Sequence, residues 1–226
     1  MSALEILPIV LLGIVCGLDV VSFPQGMISR PIVAATAAGA LGGHAGDGLL
    51  IGAVLELIAL ETLPFGASRY PEWGTASVVG GALFVDQAPM PGALPLCVFA
   101  ALCAAMVSGS SMVAIRRLNG RWAGQLHDEV ERGSRRAVMR LQIGGLMADV
   151  LRAALVTLVL IVVLRPIVSA AAEVWGAPAT MSTALVVGIA TAVAGGIVWN
   201  ALPAGNLRVR AGLIAAGVIA AVMVGG

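Results

Sequence analysis

The sequence predicts an all-α polytopic membrane protein with re-entrant or broken helices in its N-terminal half. Three observations carry that expectation. Of 226 residues, 59% are hydrophobic and only 11% charged, with a mean hydropathy of +1.01, far from the balance of a soluble domain. The apolar runs are continuous, whereas a transmembrane barrel needs segments of about ten residues with alternating polarity. Aromatic residues reach only 4% while glycine numbers 29, so the apolar bulk is Ala, Val, Leu and Ile with small residues that let helix backbones approach closely. The net charge of +1 provides no global field for nucleic acid. Cys16, Cys97 and Cys103 lie in apolar runs without metal or disulfide spacing, and read as small core or lipid-facing residues.

The first apolar piece, 4–18, lacks a basic n-region and carries Glu5, so it reads as mature protein rather than signal peptide. Pieces at 31–43, 48–60 and 76–85 follow, short and interrupted by Pro24, Pro31, Pro64, Pro71 and repeated glycines. A lone span needs about 17–25 apolar residues. Shorter pieces read as re-entrant hairpins or discontinuous helices, which survive at membrane depth only where protein or a watery cavity covers them. Four full-length candidates come later, at 92–115, 143–164, 178–199 and 207–225. The expected division is therefore a site region over 1–90 and a helical scaffold over 91–226. Between the first two long spans, residues 116–140 hold seven arginines against three acids. The positive-inside rule makes this loop cytoplasmic, with Arg208 and Arg210 on the same side and the C-terminus outside. Residues 122–141 are candidates for a surface helix, either a solvated face or a docking surface.

Carboxylates in such a chain are informative, because one at the bilayer centre costs about 2.5–3.5 kcal/mol on the insertion scale. Glu56 sits in "GLLIGAVLELIAL", apolar on both sides. Two readings stand: a structural carboxylate that caps a broken helix or pairs with Arg30, or an acceptor for ligand hydroxyls. Glu61 is five residues on, roughly 140° round a helix, so the two glutamates do not share one narrow face. Asp19 ends the first run ahead of "VVSFPQGMISRP", a polar break suited either to a site lined by Asp19, Ser22 and Gln25 or to an ordinary turn. Arg30, beside Pro31, is expected to neutralise Asp19 or Glu56. Gly39 with Gly43, and Gly48 with Gly52, form small-xxx-small pairs flanking a hairpin tip at "GGHAGDG", where His44 reads as a boundary residue. Asp149 and Arg152, three apart within a span, are expected to neutralise each other, and read as structural or as a contact to a partner helix. No nucleotide, zinc-protease or dithiol motif occurs, so no catalytic residue, metal or cofactor is assigned. A carrier or channel component fits better than an enzyme.

The run "ISRPIVAATAAGALGGHAGDGLLIGAVLELIAL", followed by "GASRYPEWGTASVV", closely resembles the membrane subunit IIC of the mannose-fructose-sorbose family of the phosphoenolpyruvate-dependent sugar phosphotransferase system. The shared motifs, in order, are Arg30-Pro31, Thr36 with Gly39, Asp47-Gly48, Gly52, Leu55 to Ile58, Gly66-Ala67, then Pro71, Glu72 and Ala76. The resemblance is strong over about 18–80 and rests on hydropathy beyond. It implies a multi-pass bacterial inner-membrane permease that carries a hexose-like sugar inward with a IID membrane subunit, in a larger oligomer of IIC–IID units. Soluble IIAB components would phosphorylate the sugar, using histidines this chain does not provide. It carries sugar-site roles onto Asp19 and Glu56, and the substrate-binding set expected is Asp19, Gln25, Arg30, Thr36, Glu56 and Glu61. Two alternatives are an ion-coupled secondary transporter in which Glu56 and Glu61 titrate, and a non-transporting regulatory subunit.

Overall fold

The computed structural model describes residues 3–60, 70–88, 90–201 and 212, which form helices joined by turns and loops, with no strand among them. Four short helices come first: α1 (Ala3–Asp19), α2 (Pro31–Leu41), α3 (Ala45–Ala59) and α4 (Trp73–Gln87). The chain then runs through α5 (Ala93–Gln125), α6 (His127–Glu131), α7 (Arg135–Glu173) and α8 (Ala179–Ala201). Three of these, α5, α7 and α8, are long and apolar enough to cross a membrane. The expected span at 207–225, with Arg208 and Arg210, lies outside the described residues except for residue 212.

The short helices are short for local reasons. Pro31 opens α2, where its missing N–H is harmless and its fixed φ suits the first turn. That helix stops at Gly42 and Gly43, the latter at φ +81, and His44 starts α3. With 11 and 15 residues, α2 and α3 are about 16 and 22 Å long, short of a hydrocarbon layer about 30 Å thick. They form an antiparallel hairpin packed backbone to backbone. A Cβ on Gly48 would lie 2.4 Å from the Ala35 carbonyl oxygen, and one on Gly39 would lie 2.7 Å from the Gly48 Cα. Of the small-residue pairs of the sequence, Gly39, Gly48 and Gly52 are thus at the helix contact itself, while Gly43 lies in the turn with nothing within 4 Å of its Cβ position.

The centre of the molecule is α4. Twelve of its fifteen residues are buried, and α1, α2, α3, α5 and α7 pack around it. Ile51, Leu55, Val78, Val79, Leu83 and the alanines of α5 at 100, 101, 104 and 105 form much of the core. Outward faces are apolar too: Leu4, Leu7, Leu11 and Val15 of α1, and Leu151, Leu155, Val159 and Val162 of α7, are exposed at helical spacing, as expected for surfaces bathed in lipid.

The Arg-rich segment 116–140 differs from its expectation as a loop. Helix α5 continues through Arg116, Arg117 and Arg121 to Gln125, and α7 begins at Arg135. The surface helix expected over 122–141 is therefore the end of one long helix, a five-residue α6, and the start of another. The reason is propensity: Arg, Leu, Ala and Gln are good helix formers, and the backbone does not need to stop where the hydrophobicity does. At 33 and 39 residues, α5 and α7 reach about 50 and 58 Å, so both overrun the hydrocarbon.

Candidate functional site

Four helix ends converge on one cavity of about 360 Å³: the C-termini of α1 and α3 and the N-termini of α2 and α4. Asp19, Gln25, Ser29, Arg30, Glu56, Tyr70 and Trp73 line it. The size lies within the range of about 300–1,000 Å³ typical of small-molecule sites.

Asp19 organises one wall. It is almost fully buried and accepts hydrogen bonds from the Gly26 amide at 2.6 Å, the Ser29 amide at 2.9 Å and the Ser29 hydroxyl at 2.7 Å. The loop it gathers is irregular, with a cis Phe23–Pro24 bond and left-handed backbone at Gln25 (φ 57) and Met27 (φ 61). Such φ values are uncommon away from glycine, and the bonds to Asp19 hold the segment in place. The polar break read from the sequence is thus a folded wall of the cavity.

Glu56 reaches from α3 to the start of α2. One carboxylate oxygen takes the Arg30 guanidinium and the other accepts from the Ile32 amide at 3.2 Å. The glutamate therefore both pairs with Arg30 and caps a helix N-terminus, where unpaired amides and the helix dipole favour negative charge. Its side chain is 15% exposed and that of Arg30 52%. Arg30 chooses Glu56, while Asp19 takes two amides and the Ser29 hydroxyl. Each carboxylate offers about four acceptor positions, so both retain capacity toward a ligand.

Of the expected set, the structure brings Asp19, Gln25, Arg30 and Glu56 to the cavity. Thr36 is not there: its hydroxyl donates to the Ile32 carbonyl one turn back, at 2.6 Å. Glu61 lies outside the described residues. Ser22 donates to Asp149 at 3.1 Å, away from the lining.

Two features escaped the sequence reading. Glu72 is fully buried; it accepts from the Thr75 amide at the start of α4 and from the Ser108 hydroxyl. Arg152, also buried, donates through Nη1 to Ser108 at 3.3 Å and Ser111 at 3.5 Å. Arg152 therefore does not pair with Asp149 as expected. A spacing of three makes contact possible within a helix, but here Arg152 turns inward to α5 while Asp149 meets Ser22. Asp86 and Arg165 form the second unanticipated feature, a two-pronged ion pair at 2.8 and 3.2 Å between α4 and α7.

Residues 3–225 match the family described as "PTS system sorbose-specific iic component". The chain belongs to this sorbose-specific IIC family of the phosphotransferase system. Among curated relatives, the fructose permease IIC component of Bacillus subtilis (strain 168) is 32% identical over 85 residues, 38% of this chain and 31% of that protein. The sorbose-specific EIIC component of Klebsiella pneumoniae is 31% identical over 84 residues, 37% of this chain and 31% of that protein. These alignments thus span about a third of each relative. Two solved structures share the fold. One, described only as a membrane protein, has a TM-score of 0.71 at 21% identity, covering 99% of this chain and 94% of the other. The second, the mannose transporter ManYZ in complex with microcin E492, has a TM-score of 0.62 at 22% identity with the same coverage. The chain is thus a IIC-type component, with three helices among the described residues long and apolar enough to cross a membrane.

Proposed function

We propose that this chain is the sugar-translocating subunit of a phosphoenolpyruvate-dependent system in a bacterial inner membrane, working beside a IID membrane subunit and soluble IIAB components. The observation that carries the reading is the cavity, in which Asp19, Gln25 and Arg30 from the segment 19–30 and Glu56 from α3 meet in a volume fit for a monosaccharide. Carboxylate oxygens accept from sugar hydroxyls, and charge-assisted bonds are roughly twice as strong as neutral ones. Arg30 and the Gln25 amide supply donors, so hydroxyls can be read in both senses. The hairpin α2–α3, too short to span, serves as a re-entrant wall that brings Glu56 to membrane depth. The likeness in fold to ManYZ, a mannose transporter, supports a hexose-like substrate and a two-subunit membrane unit, and such units assemble into a larger oligomer. Glu61 and Thr36 have weaker claims: the first adjoins the end of α3 in sequence, and the second lies off the cavity.

The test is phosphoenolpyruvate-dependent uptake of labelled hexoses in cells without their own mannose system, with this chain and its partners co-expressed. Wild type should accumulate sugar only with the phosphoryl donor, and Glu56→Gln should raise the sugar dissociation constant about 10- to 100-fold, the loss of one charged hydrogen bond. Uptake that survives without donor and collapses with a protonophore would mean ion coupling instead. An assembled complex that takes up no hexose would mean a regulatory subunit.

A further inference from the structure

A second cavity of about 310 Å³ adjoins the first. The two share Val20 and Tyr70 in their linings, so a single side-chain layer separates them. The second is polar: Arg116 and Asn119 of α5, Asp149 of α7 and the Tyr70 hydroxyl all border it. Arg116 donates to the Tyr70 hydroxyl at 2.8 Å and lies 5.5 Å from the centre of its ring, so the partition is held from the second cavity's side.

Its polar groups are under-used. Among the described residues Asp149 takes one hydrogen bond, from Ser22 at 3.1 Å. The Asn119 Oδ1 is buried without a hydrogen-bond partner among the described residues, which is costly unless something else meets it. The charges of Arg116 and Asp149 cancel, so the lining suits a neutral ligand rich in both donors and acceptors and disfavours an anion beside the carboxylate. Position matters as well. The cavity lies at the Arg-rich end of α5, the cytoplasmic side by the positive-inside rule, with the first cavity behind it.

Resting on the sugar-permease reading, we infer that this second cavity is a second polyol-binding station, in which Asp149, Asn119 and Arg116 hold the uncharged sugar between the central cavity and the cytoplasm. Tyr70 is the shared wall that must turn aside for the sugar to pass.

Two cysteine probes separate the stations. Val21 lines only the second cavity and Leu60 only the first. Cys103 is the exposed native cysteine, while Cys16 and Cys97 are buried. In a Cys103→Ala background of the assembled complex, Val21→Cys and Leu60→Cys are alkylated with a maleimide in inside-out vesicles, with and without the hexose that supports uptake. At about ten times its dissociation constant the hexose should slow both reactions about tenfold, by mass action. Asp149→Asn and Asn119→Ala should each abolish protection of Val21→Cys and leave that of Leu60→Cys. Protection of Leu60→Cys alone overturns the second station, as does protection of Val21→Cys that survives Asn119→Ala. Protection of Val21→Cys by inorganic phosphate instead of hexose makes it an anion site and also overturns it. If no hexose protects either probe, the sugar-permease reading itself fails and the station falls with it.

Discussion

Asp19 shows how one side chain can build a site without exhausting its own acceptors. Its three hydrogen bonds from Gly26 and Ser29 hold the 20–30 loop as one wall of the cavity. Asp19→Asn keeps the shape but replaces one acceptor oxygen by a donor that faces amides. A bond to a charged group contributes about 1.5–3 kcal/mol, so the loop should loosen by roughly that amount. The expected outcome is faster proteolysis within 20–30 and weaker sugar binding, with the assembled complex retained. Unchanged proteolysis would mean the loop is held by its own turns. Glu56 has a comparable double duty, and its pair with a half-exposed Arg30 is screened. Arg30→Gln alone should therefore cost stability about 1 kcal/mol or less, measured by thermal unfolding of the solubilised complex, while its effect on hexose affinity reports the ligand role.

At the scale of elements, the α2–α3 hairpin supplies a clean contrast. Gly48→Ala places a Cβ 2.4 Å from the Ala35 carbonyl oxygen, whereas Gly46→Ala meets nothing within 4 Å. Overpacking of this kind costs about 1–3 kcal/mol. Gly48→Ala should lower the unfolding midpoint, and Gly46→Ala should leave it or raise it slightly, since alanine is the better helix former. Equal effects would mean the helices can slide apart freely. The same hairpin marks what was legible in the sequence. Hydropathy located α5, the apolar parts of α7, and α8, and the buried carboxylates pointed to the cavity's residues. It did not reveal α4 as the centre, because Gly74, Thr75, Ser77, Gly80 and Gly81 make a central helix look like a broken one. Nor did it carry α5 past Arg116, since hydropathy falls where a helix leaves lipid although the helix continues. Spacing pairs Arg152 with Asp149, because position along one helix says nothing of Ser108 on another.

Across the whole molecule, the buried chain from Glu72 through Ser108 to Arg152 joins α4, α5 and α7, and the Arg152 Nη2 lies 3.3 Å from where a Cβ on Gly17 of α1 would stand. Four helices thus meet at one charged unit inside a largely apolar core. Ser108 donates to the carboxylate and accepts from the guanidinium, so the opposite charges are coupled through its hydroxyl. Among the described residues the Arg152 Nε and Nη2 have no hydrogen-bond partner, so the cost of burying the arginine is offset mainly by Glu72 nearby and the two serines. Removing one charge of a buried pair costs about 3–5 kcal/mol, because the other is left uncompensated, while replacing both is often close to neutral. Arg152→Met should therefore abolish or severely reduce assembly of the complex. Adding Glu72→Gln to it should recover much of the loss, since Gln still accepts from the Thr75 amide and no carboxylate is left alone. The check is the unfolding midpoint of the solubilised complex for the two single variants and the double. If the double variant is as unstable as the sum of the singles, Glu72 and Arg152 act independently, and their charges are not coupled through Ser108.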